Sequence, residues 1–230
     1  MRAPGVLDEV AALLDEVFRS VQVVGRRLLE VSDATARKDR PLRRADVAGT
    51  RELLLDVLDR HRGLVAGTGV ILAPGLLADA PRWLEWWLAG VRPEALRVSH
   101  DPDSPDFYDY TAAEWYREPE RTGERWVAGP YVDYLSTNEY MVTLTVPVRS
   151  GSTFLGVAGA DLLAGRLEDR LLALLDELAE PALLVNAEGR VVASTTSSWL
   201  TGSLVAVGGP AAHRWSVHHV DGFPWRLLTG

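Results

Sequence analysis

The chain has 230 residues, carries a net charge of −8 with a pI near 5.2, and contains no cysteine. The length fits one large domain or two small lobes, and an apolar fraction of 47% can fill a core, which excludes a disordered chain. The acidic balance argues against a nucleic-acid-binding protein, and the lack of cysteine excludes disulfides, thiol chemistry and cysteine zinc sites.

One long helix is predicted over residues 6–31, because apolar residues recur there at alternating steps of three and four. These positions are Leu7, Val10, Leu14, Val17, Val21, Val24, Leu28 and Val31. The spacing is that of a coiled-coil seam. It predicts either a helix packed on the chain's own sheet or a homodimer through residues 7–31, and both alternatives remain open.

The N-terminal stretch lacks the unbroken apolar core of a signal peptide, because acids interrupt it at Asp8, Glu9, Asp15 and Glu16. Elsewhere, no segment approaches the ~18 apolar residues of a membrane span. We therefore expect a cytoplasmic location without a membrane span. If the sequence is a piece of a longer protein, the location would instead be extracytoplasmic.

A second helix is predicted near residues 47–62, with Asp46 or Thr50 as its N-cap. Strands are then predicted over residues 64–74, 83–90 and 95–100. In the second of these strands, Glu85 shares a face with two tryptophans, which makes it a secondary site candidate.

A short helix is predicted over residues 111–119, started by a capping box of Thr111 and Glu114 and ended by Pro119. The capping box gives Glu114 a structural role, so this acid is left out of the predicted site.

Two longer strands, near residues 141–148 and 153–162, are predicted to form a hairpin closed by residues 149–152. Alternation along the second strand gives one face to Leu155, Val157, Gly159 and Asp161. Asp161 therefore ends an otherwise apolar face, where a charge requires a partner.

The last part of the chain predicts a helix near 166–180 and a smaller sheet, which includes a hairpin with its turn at Asn186–Gly189. The whole pattern predicts an α+β fold with a long N-terminal helix and two antiparallel-sheet lobes. We expect N-terminal helices (1–62), a larger lobe (63–163), and a connecting helix with a smaller lobe (164–230).

Aromatic and acidic side chains are concentrated between residues 108 and 161. They include Tyr108, Tyr110, Trp115, Tyr116, Trp126, Tyr131 and Tyr134, together with Asp109, Glu114 and Asp133. Ring faces attract positive charge and carboxylates accept N–H hydrogen bonds, so the combination suits a small cation. The alternative is a tryptophan-rich core beside a solvated acidic loop.

Three short motifs in this region carry a family resemblance: W-x-x-G-P-Y-x-D, T-x-x-x-P-V and G-x-x-G-x-D. They are formed by Trp126, Gly129, Pro130, Tyr131 and Asp133, then Thr143, Pro147 and Val148, then Gly156, Gly159 and Asp161. The pattern resembles the double Cache, PAS-like sensor domain of bacterial receptors. That resemblance implies two PAS-like lobes, of which the larger binds a small molecule.

The chain is also similar to the subgroup of these domains that binds amino acids and amines. Tyr108 stands at its leading aromatic position, Trp115 and Tyr116 match its W-Y pair, and Tyr131 matches a following tyrosine. Asp133 and Asp161 match the two acids that hold the ligand ammonium.

One position departs from the subgroup pattern. Where amino-acid binders have an arginine for the ligand carboxylate, this chain has Ala113, and Arg117 and Arg121 lie nearby but out of register. Without a bidentate carboxylate clamp, the resemblance implies a small cationic amine that lacks the α-carboxylate.

Two other functions compete with a sensor. An enzyme could use Asp133 and Asp161 as an acid–base pair, but the sequence has scattered histidines and lacks a nucleophile elbow, a phosphate loop and an HExxH motif. A scaffold with a vestigial pocket would act only through its N-terminal helix.

We therefore expect a non-enzymatic sensor without a metal or cofactor, which recognises a small cationic amine or an amino-acid-like molecule and signals through a separate protein partner.

Overall fold

The structure is a computed structural model that describes residues 3–99, 103–104, 107–133, 139–205 and 215–230. The chain forms two compact units. The six-stranded unit comprises residues 17–128 and 143–162, and the four-stranded unit comprises residues 1–16, 129–142 and 163–230. The predicted α+β fold, with a long N-terminal helix and two antiparallel sheets, is confirmed. The predicted three-part division by chain position remains a prediction.

The first helix, α1, spans Ala3–Ala36 and is longer than predicted. Its apolar stripe is almost fully buried within the chain, at 1% exposure or less for Val10, Leu14, Val17, Val21, Val24 and Leu28. The helix is therefore packed on the chain's own core, which agrees with the first of the two predicted alternatives. A homodimer through residues 7–31 stays a proposal, and it would have to use the outer face, where Val23 is 41% exposed.

The predicted second helix is divided into three short elements. These are α2 (Arg44–Val47), a 3-10 turn (Ala48–Thr50) and α3 (Arg51–Arg60). Thr50 stands at the predicted N-cap position of α3 but makes no side-chain capping hydrogen bond, and Asp46 lies inside α2. The Thr50 hydroxyl donates to the Val47 carbonyl at 2.8 Å, and the Asp46 carboxylate accepts from the Arg43 N–H at 3.0 Å.

The six-stranded sheet has the strand order β3-β2-β1-β6-β5-β4. Its strands are β1 (Val65–Leu72), β2 (Leu84–Leu88), β3 (Glu94–Ala95), β4 (Trp126–Val132), β5 (Tyr140–Ser150) and β6 (Thr153–Leu163). The predicted third strand over residues 95–100 is reduced to two residues. The register of β6 on β1 pairs Asp161 with Gly67 and Gly159 with Gly69, so these four residues share one face of the sheet.

Helix α4 spans Glu114–Thr122, and the predicted capping box is wrong. Thr111 lies in a 3-10 turn (Tyr110–Ala112), where the Asp109 carboxylate accepts hydrogen bonds from its N–H and its hydroxyl, at 3.2 Å and 2.6 Å. Asp109 thus holds Thr111 in a local turn, and Ala113 becomes the N-cap. The predicted stop at Pro119 is also wrong, because α4 continues through it to Gly123, which has φ +74°.

The four-stranded unit contains α5 (Ala164–Leu175) and a second antiparallel sheet of order β8-β7-β10-β9. Its strands are β7 (Ala182–Val185), β8 (Val191–Ser194), β9 (Ser216–His219) and β10 (Arg226–Thr229). The predicted hairpin at Asn186–Gly189 is confirmed by the pairing of β7 with β8. One core cluster of this unit consists of Leu183, Val185, Val191, Val205 and Leu228.

Among the helices in the described ranges, none combines the length and the apolar character needed to cross a membrane.

Candidate functional site

Asp161 has a partner on the neighbouring strand. The Thr143 hydroxyl on β5 donates to Asp161 Oδ1 at 2.6 Å, and Thr143 is only 1% exposed. Asp161 itself is half-buried. The hydrogen bond stabilises the ionised carboxylate and restricts its rotamer, as expected for a charge at the end of an apolar face.

The sheet face that carries Asp161 is lined by glycines, and a tryptophan lies over them. A Cβ atom added at Gly67 would lie 2.6 Å from Trp86 Nε1, one at Gly69 would lie 2.6 Å from Trp86 Cε3, and one at Gly159 would lie 3.4 Å from Trp86 Cη2. The indole of Trp86 therefore covers three residues that have no side chain. The alternating pattern predicts the strand that carries Trp86, but no local pattern marks the glycines beneath its ring.

The Trp115 carbonyl is held by a side chain from the sheet. In an α-helix, this carbonyl would accept a hydrogen bond from the N–H of residue 119, but Pro119 has no N–H. Instead, the fully buried Thr145 hydroxyl on β5 donates to the Trp115 carbonyl at 2.7 Å. Helix α4 is thereby attached to β5 at the residue that carries one of the predicted ligand contacts.

Tyr116 lies in a buried aromatic cluster. Its ring centroid is 5.3 Å from that of Tyr110, and it meets Phe154 edge-on at 5.5 Å. The side chain is 1% exposed, and burial raises the pKa of its phenol above the usual range. Within the described part of the chain, the Tyr116 hydroxyl has no hydrogen-bond partner, so it retains the capacity to bind a polar group.

Tyr108 is half-buried, and its N–H donates to the Ser99 carbonyl at 3.3 Å. In the same loop region, Arg82 donates to Asp109 at 2.7 Å, and its guanidinium lies over the Tyr110 ring at 5.4 Å. The hydrogen bond from the Thr111 hydroxyl, and then that from Arg82, lowers the pKa of Asp109. The sequence analysis did not identify Arg82, because no short-range pattern relates it to residues so far along the chain.

Tyr131 and Asp133 lie in the segment 129–142, which is assigned to the four-stranded unit although β4 is a strand of the six-stranded sheet. Tyr131 lies near the end of β4, and Asp133 follows that strand, where its N–H donates to the Glu139 carbonyl at 2.9 Å. Both side chains are half-buried. Residues two apart in an extended segment point to the same side, so the tyrosine and the acid share one side of the chain there.

Ala113 is half-buried at the N-cap of α4. The two nearby arginines contact the same acid on the outside of this helix, since Arg117 and Arg121 donate to Glu118 at 3.3 Å and 2.7 Å. The hydrogen bond from Arg121 is the main cause that lowers the pKa of Glu118. Neither arginine therefore replaces a guanidinium at position 113 in this structure.

The remaining predicted residues have structural partners or lie outside the described residues. Glu85 accepts a hydrogen bond from Trp87 Nε1 at 2.9 Å, and Glu114 accepts one from Trp126 Nε1 at 2.8 Å. Glu114 is thus structural, as expected, but for a different reason. Tyr134 lies outside the described residues.

The described residues contain no group of three or more His, Cys, Asp or Glu side chains that could hold a metal ion.

The family model that matches this chain is described as a methyl-accepting chemotaxis protein-like, first PDC sensor domain. The match covers residues 95–169. This segment includes all six predicted site residues: Tyr108, Trp115, Tyr116, Tyr131, Asp133 and Asp161.

Solved structures with this fold cover nearly the whole chain. The extracellular domain designated mmHK1S-Z3 has a TM-score of 0.69 at 13% identity, covering 96% of this chain and 88% of its own. The PctC ligand-binding domain of Pseudomonas aeruginosa PAO1, in complex with GABA, has a TM-score of 0.62 at 19% identity, with coverages of 97% and 93%.

The CtaA ligand-binding domain of Pseudomonas fluorescens, in complex with L-isoleucine, has a TM-score of 0.66 at 14% identity, with coverages of 98% and 87%. Identities this low establish the fold alone. Together with the two antiparallel sheets, these similarities confirm the resemblance to double Cache sensor domains.

Proposed function

We propose that this double Cache-like chain is a sensor domain whose predicted larger lobe, residues 63–163, binds a small organic amine. The observation that carries the proposal is the position of Asp161. Its carboxylate is half-buried, fixed by Thr143, and on the same sheet face as the threonine that holds Trp115. A fixed carboxylate near aromatic side chains suits an ammonium group.

In this proposal the ligand contacts are Tyr108, Trp115, Tyr116, Tyr131, Asp133 and Asp161. The carboxylates of Asp133 and Asp161 bind the ammonium, and the aromatic rings surround its substituents. The family-model match to the segment that contains all six residues supports this assignment.

The proposed ligand lacks an α-carboxylate. Two similar solved domains hold GABA and L-isoleucine, which each carry an amino group and a carboxylate. Ala113 provides no cation for a carboxylate, and Arg117 and Arg121 are engaged with Glu118. In our proposal the site therefore binds the ammonium group of the ligand and does not bind an α-carboxylate.

The expected affinity is micromolar or weaker. Each hydrogen bond from an ammonium to a carboxylate contributes about 1.5–3 kcal/mol, and each cation–π contact adds about 0.5–2 kcal/mol. A micromolar Kd corresponds to a binding free energy of about −8 kcal/mol. Two such hydrogen bonds and two rings give about 4–10 kcal/mol before the ordering cost of the ligand is subtracted, so micromolar is the upper limit of the affinity.

Matched pairs of amines and their parent amino acids test the proposal. We would titrate the folded protein calorimetrically with putrescine and ornithine, histamine and histidine, tyramine and tyrosine, and agmatine and arginine. GABA and L-isoleucine complete the panel. At least one amine should bind, about 10-fold more tightly than its parent amino acid. Tighter binding of the amino acids would overturn the amine assignment, and no binding at all would overturn the sensor proposal.

The variant Ala113→Arg sharpens this test, because it restores a cation at the N-cap of α4. We expect it to reverse the preference within a pair by about 10-fold, through binding of the ligand carboxylate. An unchanged ratio would show that position 113 does not face the ligand.

We further propose that the domain binds its ligand without chemical change and passes the signal to a separate protein, as a homodimer through the outer face of α1. Recovery of the unaltered amine from the complex by mass spectrometry tests the first point, and sedimentation with and without the amine tests the dimer. The sequence predicts a cytoplasmic location, whereas the similar mmHK1S-Z3 domain is extracellular. Fractionation of cells that carry the natural gene separates these two locations.

A further inference from the structure

We infer that Thr145 and Thr143 are positioning residues that fix two of the proposed ligand contacts, Trp115 and Asp161, relative to each other. The inference rests on the proposed function of this site. The two threonines lie two residues apart on β5, so they share one face of the sheet. Thr145 donates to the Trp115 carbonyl in α4, and Thr143 donates to the Asp161 carboxylate.

Pro119 changes the way in which the Trp115 carbonyl is hydrogen-bonded. A proline inside a helix leaves the carbonyl four residues earlier without its usual donor, and a buried carbonyl without a partner is unfavourable. Here that carbonyl belongs to Trp115, and Thr145 supplies the missing donor at 2.7 Å. Pro119 thus removes a hydrogen bond within α4, and Thr145 replaces it with a hydrogen bond from β5 to α4. This bond is made at Trp115, whose side chain is a proposed ligand contact.

Asp161 is held by the other threonine of β5. Thr143 donates to its Oδ1 at 2.6 Å, and this hydroxyl is almost fully buried, so the bond is shielded from water. A carboxylate can accept several hydrogen bonds, so the bond from Thr143 is compatible with a cation bound to the same carboxylate. Binding sites need such support, because a ligand contact that is displaced by about 1 Å loses much of its effect.

β5 therefore acts as a common support for the proposed site. Each threonine uses its single hydroxyl proton for one contact residue, and both side chains are buried, at 1% and 0% exposure. A role limited to strand stability would require only β-branched side chains at these positions, and valine would serve as well.

The test uses valine variants, because valine keeps the shape of threonine and removes its hydroxyl. We would measure affinity for the tightest-binding amine of the panel, together with thermal stability. Thr145→Val should weaken binding about 10-fold by leaving the Trp115 carbonyl without a donor. Thr143→Val should weaken binding by a similar factor. Thr145→Ser and Thr143→Ser should bind as tightly as the unaltered protein, because serine keeps the hydroxyl.

The double variant Thr145→Val/Pro119→Ala provides a rescue that a purely structural role would not predict for affinity. Alanine at position 119 restores the helical N–H donor to the Trp115 carbonyl, so most of the lost affinity should return. Pro119→Ala alone should leave affinity nearly unchanged, since Thr145 still donates.

Thr68→Val is the matched control. Thr68 is also fully buried and donates to a carbonyl, that of Gly159, at 2.7 Å, but it alternates with Gly67 and Gly69 and therefore points to the other face of the sheet. This variant should lose stability without losing affinity. If the valine variants at 143 and 145 bind as tightly as Thr68→Val, while Asp161→Asn still abolishes binding, the inference fails and the proposed function stands. If the unaltered protein binds no amine, both fail.

Discussion

Strand β5 of the six-stranded sheet and strand β7 of the four-stranded sheet differ in their buried side chains. In the six-stranded unit, buried positions of β5 carry Thr143 and Thr145, and β6 carries the half-buried Asp161. In the four-stranded unit, β7 is buried along its whole length and consists of alanine, leucine and valine. A polar group inside a sheet is tolerated only when it is hydrogen-bonded, and the two threonines meet this condition by holding Asp161 and Trp115.

This difference suggests a division of roles. Apolar strands such as β7 contribute to the free energy of unfolding through burial alone. The polar positions of β5 and β6 contribute less to stability and instead hold particular groups in fixed geometry. If this is correct, substitutions in the two sheets should separate ligand affinity from stability.

The largest effect is expected from Asp161→Asn. Removal of the charge should weaken amine binding by at least about 100-fold, because the charge-assisted bond is lost and a neutral, half-buried amide takes its place. Calorimetric titration measures this loss. Asp169→Asn is the control, since that acid lies on the exposed surface of α5 with its side chain 70% exposed. Equal affinities of the two variants would remove Asp161 from the site.

Leu184→Ala in β7 should lower the stability of the protein without changing its affinity for the amine. Leu184 is fully buried, so the truncation should lower the free energy of unfolding by about 2–5 kcal/mol through lost burial and a residual cavity. Chemical denaturation measures this value. The amine affinity of the folded fraction should remain unchanged, and a parallel loss of affinity would contradict the division of roles.

Two glycines should respond to alanine with opposite signs. At Gly69 a Cβ would clash with the Glu85 carbonyl oxygen and lie 2.6 Å from the Trp86 ring, so Gly69→Ala should destabilise by about 1–3 kcal/mol through overpacking. At Gly165, in α5, a Cβ meets nothing within 4 Å, so Gly165→Ala should stabilise by about 0.5–1 kcal/mol. Thermal denaturation gives both signs. A neutral Gly69→Ala would mean that Trp86 does not rest on the glycines.

The smallest effect is expected from the exposed pair of Arg40 and Asp46. The hydrogen bond from Arg40 lowers the pKa of Asp46 from 3.8 to about 2. The folded state therefore holds the carboxylate ionised, and this contribution to stability is present above the unfolded pKa and is lost as pH falls from about 4 to about 2. Asp46→Asn should make the stability less dependent on pH in that range. An identical acid profile for both proteins would refute the contribution of the pair.

Local patterns in the sequence predicted α1, the hairpin of β5 and β6, and the position of Asp161. These features depend on periodicity and on neighbouring residues. The capping box failed because Asp109 competes for Thr111, and the stop at Pro119 failed because Thr145, far along the chain, satisfies the Trp115 carbonyl. Partners that are distant in sequence determine both outcomes, so a local rule could not predict them.

The glycine-lined face was also beyond the sequence analysis. Gly67, Gly69 and Gly159 become neighbours only through the pairing of β1 with β6. The same pairing places Asp161 opposite Gly67, so a site residue predicted from a motif acquires a structural setting that the motif does not contain.

The most direct test of the account is a crystal structure of the protein with its tightest-binding amine. We predict that the ammonium nitrogen lies within hydrogen-bonding distance, about 2.7–2.9 Å, of carboxylate oxygens from both Asp133 and Asp161. An amine bound elsewhere, or two carboxylates that do not share the same cation, would contradict the central claim.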